Sequence, residues 1–455
     1  MGAASVLGRF VHRTSYNDLP GNAVSLAKER ILDFLGTAFD SYRRYPMTSV
    51  IRVLQAYQGR EEATVIGEGI KLPCALAAMV NSAYNISDGS RFTGAHPACV
   101  VVPAVLAAAE VRGATEPVSG KDLILAVVLG YEVMLRIGRA MYPSSHNRGF
   151  SPTTIHGPMG AAAAVGKILN FDEESIIQAI SIASLMGHGL QAADRAPYPT
   201  FSFQTGRAAE AGVLCALVAK GGLKGSDEIL EEGFYPAFSD EYHLGLIAKD
   251  LGNEYAITKT YIKLHGGCRH MHAPIDAALY LRKTHNLNWE DIEQVNVKTY
   301  STALAVCNIK EPQTGRQAEY TIQFSVPVAL IYGDASPDRF TDSILRDERV
   351  QGLMRKMKVE LEPSLDKDYP AKRTAIVEIA TKGGKRFTHR LDFAKGEPEN
   401  PLSPSKLEAK FHFMSSGVLN EETRRQMIAL LNRLETIDDI GDLFPLLKAP
   451  AKRPA

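Results

Sequence analysis

Three things are scarce in this chain of 455 residues, and each scarcity closes off a class of function. The first is charge of one sign: 51 basic residues balance 51 acidic ones, for a formal net charge of zero. Such a chain offers no global field to nucleic acid or to an anionic membrane surface, so neither is expected as a partner. A small anion would have to be held by a local group of cations. Cysteine is the second: Cys74, Cys99, Cys215, Cys268 and Cys307 are odd in number, and no two stand as C-x-x-C. That usage fits a reducing compartment, here the cytoplasm, rather than a disulfide framework. Long apolar runs are the third. No stretch reaches the roughly 18 uncharged apolar residues of a membrane span, and the most apolar segment, Cys99–Ala109, is short and carries Pro103. The first residues lack a signal-peptide layout, and Val6 breaks the myristoylation pattern that Gly2 would open. Arg9, His12 and Arg13 precede the first acid, as in a transit peptide, but the segment after them already reads as folded helix.

Several catalytic signatures are also missing. There is no H-E-x-x-H and no P-loop. Gly67-Glu-Gly69 is followed by Leu72 where a dinucleotide fingerprint needs its third glycine. Gly149-Phe-Ser151 lacks the second glycine of a nucleophile elbow. Nicotinamide enzymes, kinases, metalloproteases and α/β-hydrolases are therefore disfavoured.

What is present divides by periodicity. At roughly 150 residues per domain, the length implies two or three domains. The first half reads as helical. In Ala23–Phe39 the apolar positions Val24, Ala27, Ile31, Phe34, Leu35 and Ala38 recur at three- and four-residue steps. Asp122–Leu135 reads as a buried helix. The small-residue runs 157–165 and 207–213 read as central helices that let neighbouring axes approach closely. After about residue 257 the pattern changes. Glu293–Tyr300 and Lys356–Leu361 alternate like strands, and Thr374–Ala380 with Lys385–Leu391 flank Gly383-Gly384 as a hairpin. Helices over about Ala273–Thr284 and Ala318–Tyr332 lie between them. Pro398, Pro401 and Pro404 mark an exit, and helices resume at Ser405–Phe413 and Glu421–Leu434. The expectation is a mainly α fold with an α+β lid. A large all-helical domain is formed by 1–256 and 398–455, and a smaller α/β domain with a mostly antiparallel sheet by 257–397.

Three segments are rich in polar groups for their apolar surroundings. The first is Ser87-Asp-Gly-Ser-Arg-Phe-Thr-Gly-Ala-His-Pro97, where Asp88, Ser90, Arg91, Thr93 and His96 can line a pocket. A solvated turn competes, most evenly for Ser87 and Arg91. The second runs from Tyr142 to Gly157 and holds Arg148, Ser151, Thr153 and His156. It is expected to end where a helix begins, near Gly157, so free backbone N–H groups could bind an anion; simple capping by Ser or Thr competes. The third is Lys263-Leu-His-Gly-Gly-Cys-Arg-His-Met-His-Ala-Pro-Ile-Asp276. His265, His270 and His272 match no standard zinc spacing, so no metal is expected. A basic anion pocket with proton-transfer groups is the better reading, with Cys268, Arg269 and His272 on the ligand.

Together these segments resemble the MmgE/PrpD family, which includes 2-methylcitrate dehydratase, cis-aconitate decarboxylase and iminodisuccinate epimerase. The resemblance is carried by Asp88-Gly-Ser…His96-Pro…Pro103-Ala, by Arg148-Gly-Phe…Gly157…Gly160-Ala-Ala-Ala-Ala, by Gly206-Arg-Ala-Ala-Glu-Ala-Gly212-Val, and by Lys263…Cys268-Arg-His-Met-His272-Ala-Pro-Ile-Asp. It implies a helical domain built from both chain ends, a lid domain, a site in the cleft between them, a homodimer, and no metal or organic cofactor. It also implies that His96 is a catalytic histidine and Lys263 a catalytic lysine, with Asp88 and Ser90 beside them. Four positions depart from the decarboxylase-type members. Ser151 and Cys268 stand where histidines are usual, Phe201 where a substrate-binding lysine is usual, and Asn308 near a usual tyrosine. These losses argue against cis-aconitate decarboxylation and toward a substrate with fewer or differently placed carboxylates.

The chemistry so implied is proton transfer at carbon next to a carboxylate, which needs a positioned base and cationic or N–H donors for the developing charge. Lys263 is the first candidate for base or electrophile, His96 its partner, and Tyr142 a proton donor from the opposite face. Arg269, Arg148 and the helix start would hold a carboxylate. A dehydratase-type lyase or an epimerase on a small di- or tricarboxylic acid is expected. The alternatives are a decarboxylase of an unsaturated polycarboxylate and a non-catalytic relative that binds small acids.

Overall fold

The computed structural model describes residues 2–45, 47–83, 87–193, 196 and 200–449. Its backbone falls into two compact units, one of 1–194, 199–260 and 403–455, the other of 195–198 and 261–402. The last six residues of the expected C-terminal return lie outside the described residues.

The first unit is helical. Its main elements are α1 (Gly21–Arg44), α2 (Cys74–Ala83), α3 (Ala98–Gly113), α4 (Gly120–Arg139), α5 (Pro152–Ile168), α6 (Glu173–Ser184) and α7 (Thr200–Lys220). Local chemistry sets where they begin. Ser119 Oγ accepts the Asp122 amide at 3.1 Å while Asp122 returns the bond to the Ser119 amide at 3.3 Å, a capping box that opens α4. Asp172 caps α6 by accepting the Ser175 amide at 2.8 Å. The small-residue runs do what their composition suggests. A Cβ on Gly160 would stand 2.5 Å from Met134 Cβ and 2.8 Å from the Gly130 carbonyl, and one on Gly212 would stand 2.4 Å from Ala161 Cβ. Helices α4, α5 and α7 therefore meet backbone to backbone, and α3 is buried along nearly its whole length. The chain returns to this unit with α10 (Pro404–Ser415) and α11 (Glu421–Asn432). Phe411 packs where Gly36 leaves space on α1, and Lys410 pairs with the buried Asp33.

The helix after the second polar segment starts at Pro152, not near Gly157. Proline at the first helical position is the physical cause, since its missing N–H and fixed φ suit that place. Gly157 lies in the second turn of α5, buried against Val100, and its amide is not a free donor at a helix end.

The second unit is a four-stranded sheet of β1 (Ile292–Thr299), β2 (Met357–Leu361), β3 (Ala375–Thr381) and β4 (Arg386–Leu391), in the order β2-β1-β3-β4. Helices α8 (His272–Thr284) and α9 (Ile322–Tyr332) share its core, where Ile275, Leu281, Phe324 and Val328 join Val295, Val297, Val377 and Ile379. The β1–β3 and β3–β4 pairs are antiparallel, with Val297 opposite Val377 and Val377 opposite His389. The β1–β2 pair is parallel, with Val297 opposite Val359, so the sheet is mixed. The long helical connection between those strands permits the parallel crossover. Gly384, at φ +78°, makes the β3–β4 turn in a backbone region costly for other residues. The expected helix 318–332 is broken: a short turn ends at Ala318, and Thr321, at φ −137°, forms a bridge with Asn308 before α9 starts.

Candidate functional site

Each unit carries one polar cluster, and each is built by its own local structure.

In the helical unit the segment 87–97 is not a solvated turn. Ser87, Asp88, Ser90, Arg91 and Thr93 are all buried. Residues 88–90 are extended, and the loop closes on itself through Ser90 N–H to the Ala95 carbonyl at 2.9 Å and Gly94 N–H to the Ser90 carbonyl at 2.9 Å. Asp88 is its anchor. One carboxylate oxygen accepts the Tyr131 hydroxyl at 2.7 Å and the other the Ala98 amide at 3.1 Å, while Arg30 Nε stands 4.0 Å away. Burial pushes this carboxyl up to about 6 against the pull of Arg30 and Tyr131. His96 is half-buried. Its ring nitrogen Nδ1 lies 2.5 Å from the Asp88 carbonyl oxygen, and its backbone amide donates to Thr153 Oγ1 at 3.1 Å. Thr153 is in the first turn of α5, so the second polar segment is fastened to the first. Phe201 stands edge-on to the imidazole at 6.4 Å, an apolar ring in the place where the resemblance implies a lysine.

The remaining candidates of this unit go to different places. Tyr142 lies beside Gly94, whose Cβ would stand 3.1 Å from its ring, and 5.8 Å from His146. Ser151 is buried at the start of α5, its amide on the Gly189 carbonyl at 3.1 Å, and its side chain caps nothing. Arg148 pairs with Asp240 at 3.3 Å on the exposed side and is not part of the cluster. His156 is inside the helical packing, against Gly138, and its Nδ1 finds no hydrogen-bond partner. Burial alone pulls its pKa down to about 3, so it is a neutral core imidazole.

In the α/β unit Lys263 follows a short strand, and Cys268 precedes a single 3₁₀ turn that leads into α8. Both side chains are half-buried. The Cys268 amide donates to the Glu319 carbonyl at 2.8 Å, which is possible because Gly267, at φ +74°, passes against Glu319. Burial lowers the Lys263 pKa, with Cys268 and Glu319 opposing. The Cys268 thiol is shifted down, first by a hydrogen bond from Cys307 and then, against burial, by the Lys263 charge. Cys307 is held well above the usual thiol range by burial and by that bond. Cys268 is thus the acid of the pair, with Cys307 as donor to its sulfur.

Around this pair the three histidines separate. His265 Nε2 meets Asp276 at 2.8 Å, His270 Nδ1 meets the Tyr300 hydroxyl, and His272 Nδ1 accepts from Arg269 at 2.9 Å. Among the described residues no group of three or more His, Cys, Asp or Glu side chains could hold a metal ion. Arg269 does bind a carboxylate, but it is Glu397 of the chain, through Nε at 3.1 Å and Nη2 at 3.0 Å. Its other donors reach the carbonyls of Lys395, Ala394 and Ile262. The guanidinium is structural. Asn308 is likewise engaged, by Gln323. Sequence reasoning missed Tyr131, Arg30, Cys307 and Arg373. Nothing local marks Tyr131 or Cys307, Arg30 is one of several charges with Lys28, Glu29 and Asp33 on its helix, and only the fold brings them to Asp88 and Cys268.

A helical unit assembled from both ends of the chain, with an α/β unit inserted and a polar cluster in each, defines a two-part class of protein. Residues 5–246 match the MmgE/PrpD N-terminal domain and residues 265–436 the MmgE/PrpD C-terminal domain. The chain belongs to the MmgE/PrpD family. Among its relatives, the cis-aconitate decarboxylase of Aspergillus terreus is 27% identical over 480 residues, covering 100% of this chain and 97% of the relative. The human cis-aconitate decarboxylase is 26% identical, covering 97% and 93%. The 2-methylcitrate dehydratase of Escherichia coli strain K12 is 24% identical, covering 64% and 61%.

Proposed function

We propose that this protein is a cofactor-independent enzyme that moves a proton at carbon in a small di- or tricarboxylic acid, as a dehydratase-type lyase or an epimerase. The observation that carries the reading is the Lys263–Cys268 pair. A half-buried amine without a hydrogen bond or ion pair among the described residues lies near a thiol whose ionisation is favoured. Such a pair can take a proton from a carbon acid and stabilise the charge that develops. Lys263 is assigned as base or electrophile and His96 as the partner proton carrier, with Tyr142 as a further donor. The relatives named for 2-methylcitrate and cis-aconitate support a polycarboxylate as substrate class.

Decarboxylation of an unsaturated polycarboxylate is the second reading. Relatives that cover the whole chain bear that name, which favours it. Phe201 beside His96 opposes it, since an apolar ring cannot hold a carboxylate there. One experiment separates these outcomes: incubation in deuterium oxide with citrate-, aconitate-, malate- and aspartate-derived acids, followed by NMR. Exchange or water loss supports the first reading and carbon dioxide release the second. Ligand-induced stabilisation without any turnover would leave a non-catalytic binder. Lys263→Ala should abolish turnover, and unchanged turnover removes Lys263 from the mechanism.

A homodimer is proposed as well. On α7, Phe203, Leu214 and Leu217 are about half exposed, and Leu185, Met186 and Leu190 are exposed as well. Phe203 and Leu217 lie two helical turns either side of Glu210, so an antiparallel partner helix from a second copy would set one against the other. The free state of all five cysteines supports a cytoplasmic location.

A further inference from the structure

Arg373 sits between the Tyr369–Pro370 bend and β3 and is buried, at 8% exposure. Its guanidinium lies over the Tyr261 ring, 5.4 Å from the centroid, and donates one long bond, 3.4 Å, to the Tyr261 hydroxyl. Its Nε has no hydrogen-bond partner. Among the described residues no carboxylate stands within ion-pair distance of it. The contrast with Arg269 is direct. That guanidinium lies over the same Tyr261 ring, at 4.6 Å, but is matched by Glu397 on two bonds. The groups that act on Arg373 most strongly are Tyr261, Tyr300 and Tyr369; the carboxylate of Glu397 acts more weakly, from beyond ion-pair distance, and is already matched by Arg269. A guanidinium is always charged, and burying it without a counter-ion is unfavourable. An anion that reached the orphaned Nε would complete the pairing of such a charge.

The position of Arg373 says which anion. Its charge reaches the sulfurs of Cys268 and Cys307, as does that of Lys263. Arg373 and Arg269, the residue after Cys268, lie over the same Tyr261 ring two residues before Lys263, so the guanidinium without an ion pair and the unpaired amine act on one cluster from different parts of the α/β unit. A planar fork and a point charge on the same thiol pair suit a carboxylate of a molecule whose neighbouring carbon is worked on by the amine.

We propose that Arg373 is a substrate-binding residue that holds one carboxylate of the acid beside Lys263 and Cys268; the inference rests on reading that cluster as the place of reaction. The test uses the full-length protein, Arg373→Met and Arg373→Lys, with two readouts: thermal unfolding with and without the acids of the panel above, and turnover kinetics. Wild type should be stabilised by at least one acid. Arg373→Met should be as stable as wild type when free, because an unmatched charge is gone, and should lose the ligand-induced rise. Its KM should rise at least about tenfold with a smaller change in kcat, and Arg373→Lys should fall between. A variant that melts early yet keeps the ligand-induced rise, or keeps its KM, makes Arg373 structural and overturns the proposal while the enzymatic reading stands. Ligand-induced stabilisation lost in Arg373→Met, in a wild type that turns over none of the acids, supports the carboxylate site and removes the enzymatic reading. No stabilisation of wild type by any acid overturns both.

Discussion

The imidazole of His96 is held by the backbone of Asp88: Nδ1 lies 2.5 Å from the Asp88 carbonyl oxygen. A carbonyl only accepts, so the proton sits on Nδ1 and the lone pair of the neutral ring sits on Nε2. The same residue that fixes the tautomer is fixed by Tyr131 and Ala98 through its carboxylate.

That buried carboxylate has a pH signature. Its pKa is pushed from 3.8 up to about 6 in the fold. The folded state therefore binds the extra proton between these values. The associated stability is present below the lower one and is lost as pH rises through about 6. Asp88→Asn cannot titrate. Wild type should lose stability relative to it across that window, by about 3 kcal/mol at most, read from urea midpoints at several pH values. A flat difference would mean that the carboxyl titrates normally.

His156 behaves in the opposite sense. Its pKa falls from 6.5 to about 3 in the fold because burial disfavours the imidazolium. Stability from this site is complete above 6.5 and is lost as pH falls toward 3, because the unfolded chain gains a proton there. Replacing His156 with Leu should reduce the loss seen between pH 7.5 and 5 by about 2 kcal/mol. An unchanged acid-side loss would assign it to other groups.

The thiol at 268 offers a direct chemical assay. Its rate of alkylation by iodoacetamide should show a midpoint below that of an ordinary cysteine. Cys307→Ala removes the bond that contributes most, so it should move the midpoint upward more than Lys263→Met does. Equal rates at all pH values in the three proteins would show that neither neighbour tunes the sulfur.

Assembly is tested by one substitution on α7. Leu214→Glu adds a second acid one turn from Glu210 on the exposed face of α7 and should convert a dimer to a monomer in sedimentation velocity, with the helical circular dichroism preserved. A wild-type monomer at micromolar concentration ends the dimer proposal.

Much of the fold was legible because periodicity is a local property. The recurrence of Val24, Ala27, Ile31 and Phe34 lies on α1, and alternation about Gly383-Gly384 lies on the β3–β4 hairpin. The parallel placement of β2 was not legible, since strand partnership depends on what the connection allows rather than on the strand itself. The break at Thr321 was hidden because a mostly apolar helix of eleven residues follows it directly. The clusters were half legible. Residue type drew attention to Asp88, His96, Lys263 and Cys268, but the same reasoning treated Arg269 and Arg148 as ligand donors. Nothing in the sequence says that Glu397 and Asp240 occupy them. Arg373 went unnoticed for the converse reason: its lack of a partner is a property of three dimensions.

Arg269 is a staple across the two ends of the α/β unit. It joins the stretch around Ile262 to Ala394, Lys395 and Glu397, and the Ile262 amide adds a bond of 3.0 Å to the Gly396 carbonyl. The first and last strands of chain in the α/β unit are thus knotted together at the points where they lead in and out. A module whose two ends are neighbours can be excised, transplanted or bypassed by a short peptide without unravelling. Residues 261–402 have the form of a cassette whose entering and leaving stretches are bonded to each other.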